Sequence, residues 1–252
     1  MRPASGRSGT NARAAAGALL PRADGVCGRF VQERSLAELS ELFEAEQVVD
    51  DPGPRYNVAP TDPAAVVVER PDGRRAVTLF GWGLVPHWAD SPAAAARHIN
   101  ARSETVAGSP AFRDALRRRR CLVPVDGFFE WIRNGPTRQP WFIRRHDRAP
   151  LALAGIWSTW RPNADAEPHR TFAILTTRAN DAIAPLHDRM PVALPREHWA
   201  HWLDARADAD SELLALLEPA ESPPFETFAV QRLVNSVRND GPALIEPLVT
   251  LL

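Results

Sequence analysis

The chain has no lysine. All 30 of its basic residues are arginine, so no side-chain amine is available for Schiff-base chemistry. Cysteine is scarce as well. Cys27 and Cys121 are the only two, which excludes a disulfide framework and a cysteine-based metal site and points to a reducing, cytoplasmic setting. No apolar run reaches the roughly 18–20 residues that a membrane span requires. The common catalytic fingerprints are also missing: there is no Walker A loop, no GxGxxG after a strand, no GxSxG elbow and no HExxH. His198 and His201 share a helical face, but Trp199 and Trp202 interleave with them. That spacing predicts a packed amphipathic helix, and no metal or cofactor is expected.

What is present describes a globular protein. Of 252 residues, 44% are hydrophobic and 24% are charged, enough for a sizeable core. The net charge of −1 hides an asymmetry: Arg97 to Arg189 holds 16 arginines against 9 acids, within an otherwise acidic chain. Such a balance fits a localised anion-binding surface, although a solvated face of helix charges gives the same count.

Residues 1–26 are rich in Ala, Gly and Arg and lack an apolar period, so they read as a disordered N-terminal extension. Their apolar piece is short and weak for a targeting signal. Order begins at Cys27. "SLAELSELFEA" is a helix with Ser35 and Glu38 in capping-box spacing. "AAVVVERPDGRRAVTLFGWGL" is a hairpin turning at "PDGR". "SPAFRDALRRRR" is a helix capped by Ser109 with Pro110 at its first position. Short β-type runs follow through "MPVAL", then helices in "REHWAHWLDA" and "SELLALLE" and a last strand in "ETFAVQRLV". Strands dominate without regular strand–helix alternation. The expected fold is α+β: one domain over 27–252, with a large, mostly antiparallel sheet or barrel-like core flanked by a few helices.

Four segments place polar groups in apolar or aromatic surroundings. Asn100 and Arg102 in "HINARSET" suit a sugar or phosphate. Glu130 in "VDGFFEW" should be partly desolvated, which favours its protonated form and suits it to acid–base work. His187 and Arg189 in "LHDRMP" offer a proton shuttle and an anion clamp, and Cys27 in "CGRF" offers a thiol beside Arg29. Each has a structural alternative: Glu130 as half of an ion pair, His187 as a satisfied core histidine, Asn100 as a turn residue. Together they supply a nucleophile, an acid, a base and anion clamps.

In order, "CGRF", "YNVAPT", "GWGLVPHW", "INARSET", "RCLVPVDGFFEW", "PWFI", "LAGIWSTW", "FAILTTRAN" and "LHDRMPVAL" resemble the motifs of the SOS response-associated peptidase family, the abasic-site processing proteins. The match runs from Cys27 to about Leu194. The resemblance implies a protein whose N-terminal cysteine attacks the ring-opened aldehyde of an abasic site in single-stranded DNA. Amine and thiol close on that carbon as a thiazolidine, a DNA–protein crosslink that shields the lesion. Only an N-terminal cysteine presents the required 1,2-aminothiol, and its amine, with a pKa of about 7.7–8.0, is substantially neutral in the cell. The resemblance makes Cys27 the nucleophile. Asn100 positions the sugar, and Glu130 and His187 serve the proton transfers. Arg29, Arg102 and Arg189 hold phosphates, while Pro60, Trp82 and Trp131 line the strand's path. It also implies a monomer that works in the bacterial cytoplasm and joins the nucleoid when crosslinked. An imine at the sugar would permit strand-cleaving lyase chemistry.

One position departs from the family pattern. Cys27 follows Val26 rather than an initiator methionine, so as written its nitrogen is an amide. The expectation is that translation starts at Val26, with residues 1–25 a mis-annotated extension. Self-cleavage before Cys27 is the second route. Two other functions stay open: a cysteine peptidase using Cys27, His187 and Glu130 or Asn100, which would need no free amine, and a non-catalytic reader of damaged DNA, which would survive loss of the thiol.

Overall fold

The computed structural model describes residues 27–248, apart from 135–136, 208, 210 and 220–223. The expected extension over residues 1–26 and the Val26 start therefore lie outside the described residues. The chain runs β1 (Arg29–Gln32), α1 (Leu36–Phe43), β2 (Ala45–Gln47), β3 (Arg55–Val58), β4 (Pro63–Glu69), β5 (Arg75–Trp82), β6 (Asn100–Arg102), α2 (Ser103–Val106) and α3 (Arg113–Arg118). It continues through β7 (Arg120–Val125), β8 (Gly127–Asn134), β9 (Thr137–Arg145), β10 (Leu151–Trp160), β11 (His169–Arg178), β12 (Arg189–Pro191), α4 (Trp199–Leu203), α5 (Ser211–Ala215) and β13 (Phe225–Ala229).

The strands form two sheets. The larger follows the order β12-β11-β10-β7-β4-β5-β2, and a parallel pairing of β11 with β5 closes its five middle strands into a barrel. Every other contact around that ring is antiparallel. The smaller sheet, β13-β9-β8-β1-β3, is antiparallel throughout. The expected α+β domain with a mostly antiparallel, barrel-like core is what forms.

Period-two alternation sorts the side chains into distinct cores. Leu122, Ala152, Ala154, Ala173 and Leu175 pack with Leu36, Leu39 and Phe43 of α1 and with Trp199 and Trp202 of α4. Val66, Val123, Leu153, Phe172 and Ile174 join Cys27 and, from the smaller sheet, Phe30, Phe128 and Ile143. The opposite face of the smaller sheet, with Val31, Phe129 and Phe142, is covered by Val230, Val234 and Leu244. These last residues belong to a C-terminal strap, 230–248, built from two 3₁₀ turns, Arg232–Asn235 and Pro242–Ile245.

Helix α1 carries the full capping box, with Glu38 N–H on Ser35 and the Glu38 carboxylate on Ser35 N–H. The β4–β5 hairpin turns where "PDGR" predicts. Trp199 and Trp202 are buried and their indoles donate to the carbonyls of Leu194 and Cys121, so the packed-helix reading of "REHWAHWLDA" holds. Three boundaries differ from expectation. Helix α3 begins at Arg113, after a turn over 110–112 in which Phe112 N–H donates to Ser109 O at 3.0 Å, and no side chain caps it. "MPVAL" contributes to only the short β12, and "ETFAVQRLV" leaves the sheet after Ala229 to enter the strap.

Candidate functional site

The two sheets are joined at β1, and this places Cys27. The Gln32 amide, buried between them, accepts from Ala65 N–H at 2.9 Å and donates to the carbonyls of Ala65 and Pro124 at 2.9 and 2.7 Å. One residue of β1 is thereby bonded to both β4 and β7. At the turn before β8, the Asp126 carboxylate accepts from Glu33 N–H at 2.7 Å and pairs with Arg34. Gly127 opens β8 with no room for a side chain: an added Cβ would stand 2.3 Å from Phe142 Cζ and 2.7 Å from Ile143 O. With β8 pressed this closely on β9, alternation turns Phe129 and Trp131 toward the strap and Glu130 toward the space shared by the two sheets.

Cys27 and Glu130 meet in that space. Cys27 is fully buried and Glu130 is 5% exposed. The Cys27 N–H donates to Glu130 Oε2 at 3.2 Å, and the Trp131 N–H donates to Oε1 at 3.2 Å. Burial holds the Glu130 carboxyl above the usual glutamate range, opposed by the Cys27 amide and by the neighbouring His187. Burial, reinforced by the Glu130 charge, also pushes the Cys27 thiol well above its ordinary value. Its backbone φ of +52° falls in the left-handed region that costs a non-glycine residue energy.

The strand that follows the candidate histidine supplies the next layer. His187 Nδ1 accepts from Arg189 N–H at 3.0 Å. The Arg189 guanidinium forks onto Glu104, with Nη1–Oε1 and Nη2–Oε2 both 2.9 Å, and Nη2 also donates to Thr176 O at 2.7 Å. Strand β6 pairs in parallel with β11, setting Asn100 opposite Ile174 and Arg102 opposite Thr176. Asn100 and Arg102 thus flank the Thr176–Arg189–Glu104 cluster, with Arg102 exposed.

The remaining expected residues divide. Trp131 is half-buried, with Arg29 over its ring at 5.8 Å and its indole donating to Asn235 Oδ1 at 2.7 Å. Pro60 is half-buried in the turn after β3. Trp82 is the one fully buried residue of the three expected to line the strand's path. Its ring is fully buried against Phe30, with centroids 4.7 Å apart, and its indole donates to Ile99 O at 2.9 Å. It is a wall of the core that holds Cys27 and also borders a hollow of about 540 Å³ with Thr61, Gly83, Pro92 and His169. Arg29 is committed as well: its Nη1 donates to Asn57 Oδ1 and Val234 O, both at 2.9 Å.

Sequence reasoning passed over Asn57, Glu104 and Thr176. Asn57 is 2% exposed, and its amide donates to the carbonyls of Ser236 and Asn239 at 3.0 and 2.9 Å, tying the strap across the rim of the site. It stands inside "YNVAPT", where an asparagine within an apolar motif was the available signal. Among the described residues no cluster of His, Cys, Asp or Glu could hold a metal ion, and no helix is long and apolar enough to cross a membrane.

Comparison with known proteins agrees with this architecture. Residues 26–237 match the family model described as SOS response associated peptidase (SRAP). The abasic site processing protein YedK of Escherichia coli is 35% identical over 232 residues, covering 88% of this chain and 100% of that protein. YoqW of Bacillus subtilis, also named an abasic site processing protein, is 35% identical over 224 residues, covering 88% and 99%. A crystal structure of a protein from Bacteroides thetaiotaomicron superposes with a TM-score of 0.76 at 24% identity, covering 88% of this chain and 100% of that one. A phage-related protein from Bordetella bronchiseptica superposes with 0.64 at 30% identity, covering 81% and 94%. The chain belongs to the SOS response-associated peptidase family.

Proposed function

We propose that this protein processes abasic sites in single-stranded DNA by forming a thiazolidine between the lesion's aldehyde and the amine and thiol of Cys27. The reactive form begins at Cys27, with residues 1–26 absent or removed. The observation that carries the reading is the 3.2 Å contact between Cys27 N and Glu130 Oε2. It puts the nitrogen that must react beside a carboxyl that can exchange protons with it. Support also comes from relatives named abasic site processing proteins, nearly all of whose length is matched by 88% of this chain.

The chemistry follows from the residues. A neutral Cys27 amine adds to the aldehyde carbon, giving a carbinolamine, and the oxygen leaves as water when it is protonated, giving an imine. A buried carboxyl whose pKa is raised is a proton donor suited to that step. The thiol then adds across the C=N bond, sulfur to carbon and proton to nitrogen, and the five-membered ring closes. The adduct weighs the sum of protein and DNA less one water. His187 serves the oxygen's departure. Asn100, Arg102 and Arg189 receive the sugar and phosphates, and Pro60, Trp131 and Arg29 guide the strand. Trp82 acts in this scheme as the wall behind Cys27.

A thiolate peptidase asks the opposite of Cys27. Its thiol would have to be depressed in pKa, whereas burial and Glu130 both raise it. The test is mass spectrometry of three forms mixed with an abasic oligonucleotide: a chain beginning at Cys27, the same chain N-acetylated, and the Cys27→Ala variant of the full chain. An adduct lighter by one water in the first form alone supports the proposal. Peptide hydrolysis by the acetylated form without an adduct in the first would overturn it in favour of the peptidase, and salt-sensitive binding by the alanine variant with no adduct in any form would favour the reader.

A further inference from the structure

Two groups compete for one atom of His187. Its Nδ1 lies 3.0 Å from the backbone nitrogen of Arg189 and 3.0 Å from Oδ1 of Asp188. The amide is a donor and needs the Nδ1 lone pair. The carboxylate is an acceptor and needs a proton on Nδ1. A ring nitrogen cannot serve both at once.

The sides are unequally anchored. The Asp188 side chain is 87% exposed, so water satisfies it whenever it swings away. The amide of Arg189 belongs to β12, paired with Arg178 of β11, and its side chain is 13% exposed. What holds Arg189 beyond the strand pairing is the fork of two 2.9 Å bonds to Glu104, together with the bonds of Nη2 to Thr176. Bidentate charge-assisted pairing of this kind fixes geometry as well as adding energy. Glu104 lies 85 positions away from Arg189 and belongs to α2, directly after Arg102 and Ser103.

We propose that Glu104 is a positioning residue for His187: by pinning Arg189 it keeps that residue's amide on Nδ1 and holds the imidazole as the Nε2–H tautomer. The inference deepens, and rests on, the reading of His187 as a participant in the reaction. In this tautomer the Nδ1 lone pair is already engaged and Nε2 carries the hydrogen available to the departing oxygen, the step that His187 serves. Loosening Glu104 releases the Arg189 amide, and Nδ1 then takes a proton and turns to Asp188. Asp188 and the Glu130 carboxyl are the acidic groups that share this space with His187, Asp188 raising the Glu130 value and His187 lowering it.

The test is the tautomer itself, read without DNA by two-bond proton–nitrogen correlation spectra of histidine-labelled protein, the His187 signals being assigned by their loss in His187→Gln. The wild type should show a bare Nδ1 and a protonated Nε2. Glu104→Ala should put a proton on Nδ1 in a measurable fraction of molecules, and adding Asp188→Asn should remove it again. If Glu104→Ala fails to fold, Glu104→Gln, which keeps one acceptor for the fork, is read the same way. A wild type already protonated at Nδ1, or variants with unchanged His187 signals, would overturn the proposal. In chains beginning at Cys27, Glu104→Gln should slow adduct formation at saturating oligonucleotide about tenfold, a fraction of the roughly 10²–10⁴-fold that a positioned proton-transfer group supplies. Equal rates would count against it. A wild type that forms no adduct would instead sink the proposed function and leave the tautomer result standing.

Discussion

The backbone nitrogen of Cys27 and a carboxylate oxygen of Glu130, 103 positions apart in sequence, lie 3.2 Å from each other inside the core. Burial, opposed by that contact, gives the carboxyl an acid–base character visible in stability. The pKa of Glu130 is raised in the fold, chiefly by burial. A raised carboxyl binds its proton more tightly folded than unfolded, so its contribution is fully present below the ordinary value of about 4.3 and is lost as pH rises through the folded value. Thermal unfolding of the wild type and of Glu130→Gln across this window should diverge, the variant gaining relative stability as pH rises. In a chain beginning at Cys27 the divergence should shrink, because a free ammonium there compensates the carboxylate. A wild type that gains on the variant with rising pH would contradict this account.

The Cys27 thiol should be slow to react. It is buried and its pKa is raised, and the same holds for Cys121. Since the thiolate is the reactive form, iodoacetamide at neutral pH should label neither cysteine in the folded protein and both after unfolding. Rapid labelling of Cys27 in the native state would show a thiolate and revive the peptidase reading.

Gly127→Ala should destabilise the protein by about 1–3 kcal/mol, the usual range for forcing a methyl into filled space. The clash is with Ile143 O and the Phe142 ring, neither of which can retreat without opening the β8–β9 pairing. Because Glu130 lies on the same strand, adduct formation should fall together with the melting temperature. A variant as stable as the wild type would show that β8 has more freedom than its packing implies.

Asn57→Ala removes the side chain that gathers the strap. Its carbonyl oxygen accepts from Arg29, and its amide serves the carbonyls of Ser236 and Asn239. Leaving these buried groups unpaired should cost about 1–3 kcal/mol. The local sign is faster hydrogen exchange over residues 232–240 than in the barrel strands. Uniform acceleration across the protein would mean the strap is not a separable unit.

How much of this was legible beforehand depended on the range of the signal. The α1 capping box and the "PDGR" hairpin are local, decided within a few residues, and both stand in the sequence. The buried environment of Glu130 was legible from "GFFEW", since a carboxylate between large apolar neighbours in a strand has an even chance of facing a core. Closure of the barrel through parallel pairing of β11 with β5 was not legible, because no local pattern records which distant strands meet. Glu104 was missed for the same reason: in "INARSET" it reads as an ordinary surface acid, and only the fold brings Arg189 to it. Arg29 and Trp82 show a second limit, since motif likeness gives them a DNA role and records nothing of the packing the fold adds, Arg29 to Asn57 and the strap and Trp82 to the wall behind Cys27.

The strap has a consequence for biosynthesis. Arg29 bonds to a carbonyl 205 positions downstream, and Asn57 reaches one 182 positions ahead. A chain emerging from the ribosome exposes its cysteine first, yet the rim around that cysteine is completed only after Asn239 has cleared the exit tunnel. Non-local contacts of this span form late. A fragment interrupted in mid-synthesis thus carries Cys27 without its finished surroundings, and the chemistry proposed for that residue is reserved for the whole molecule.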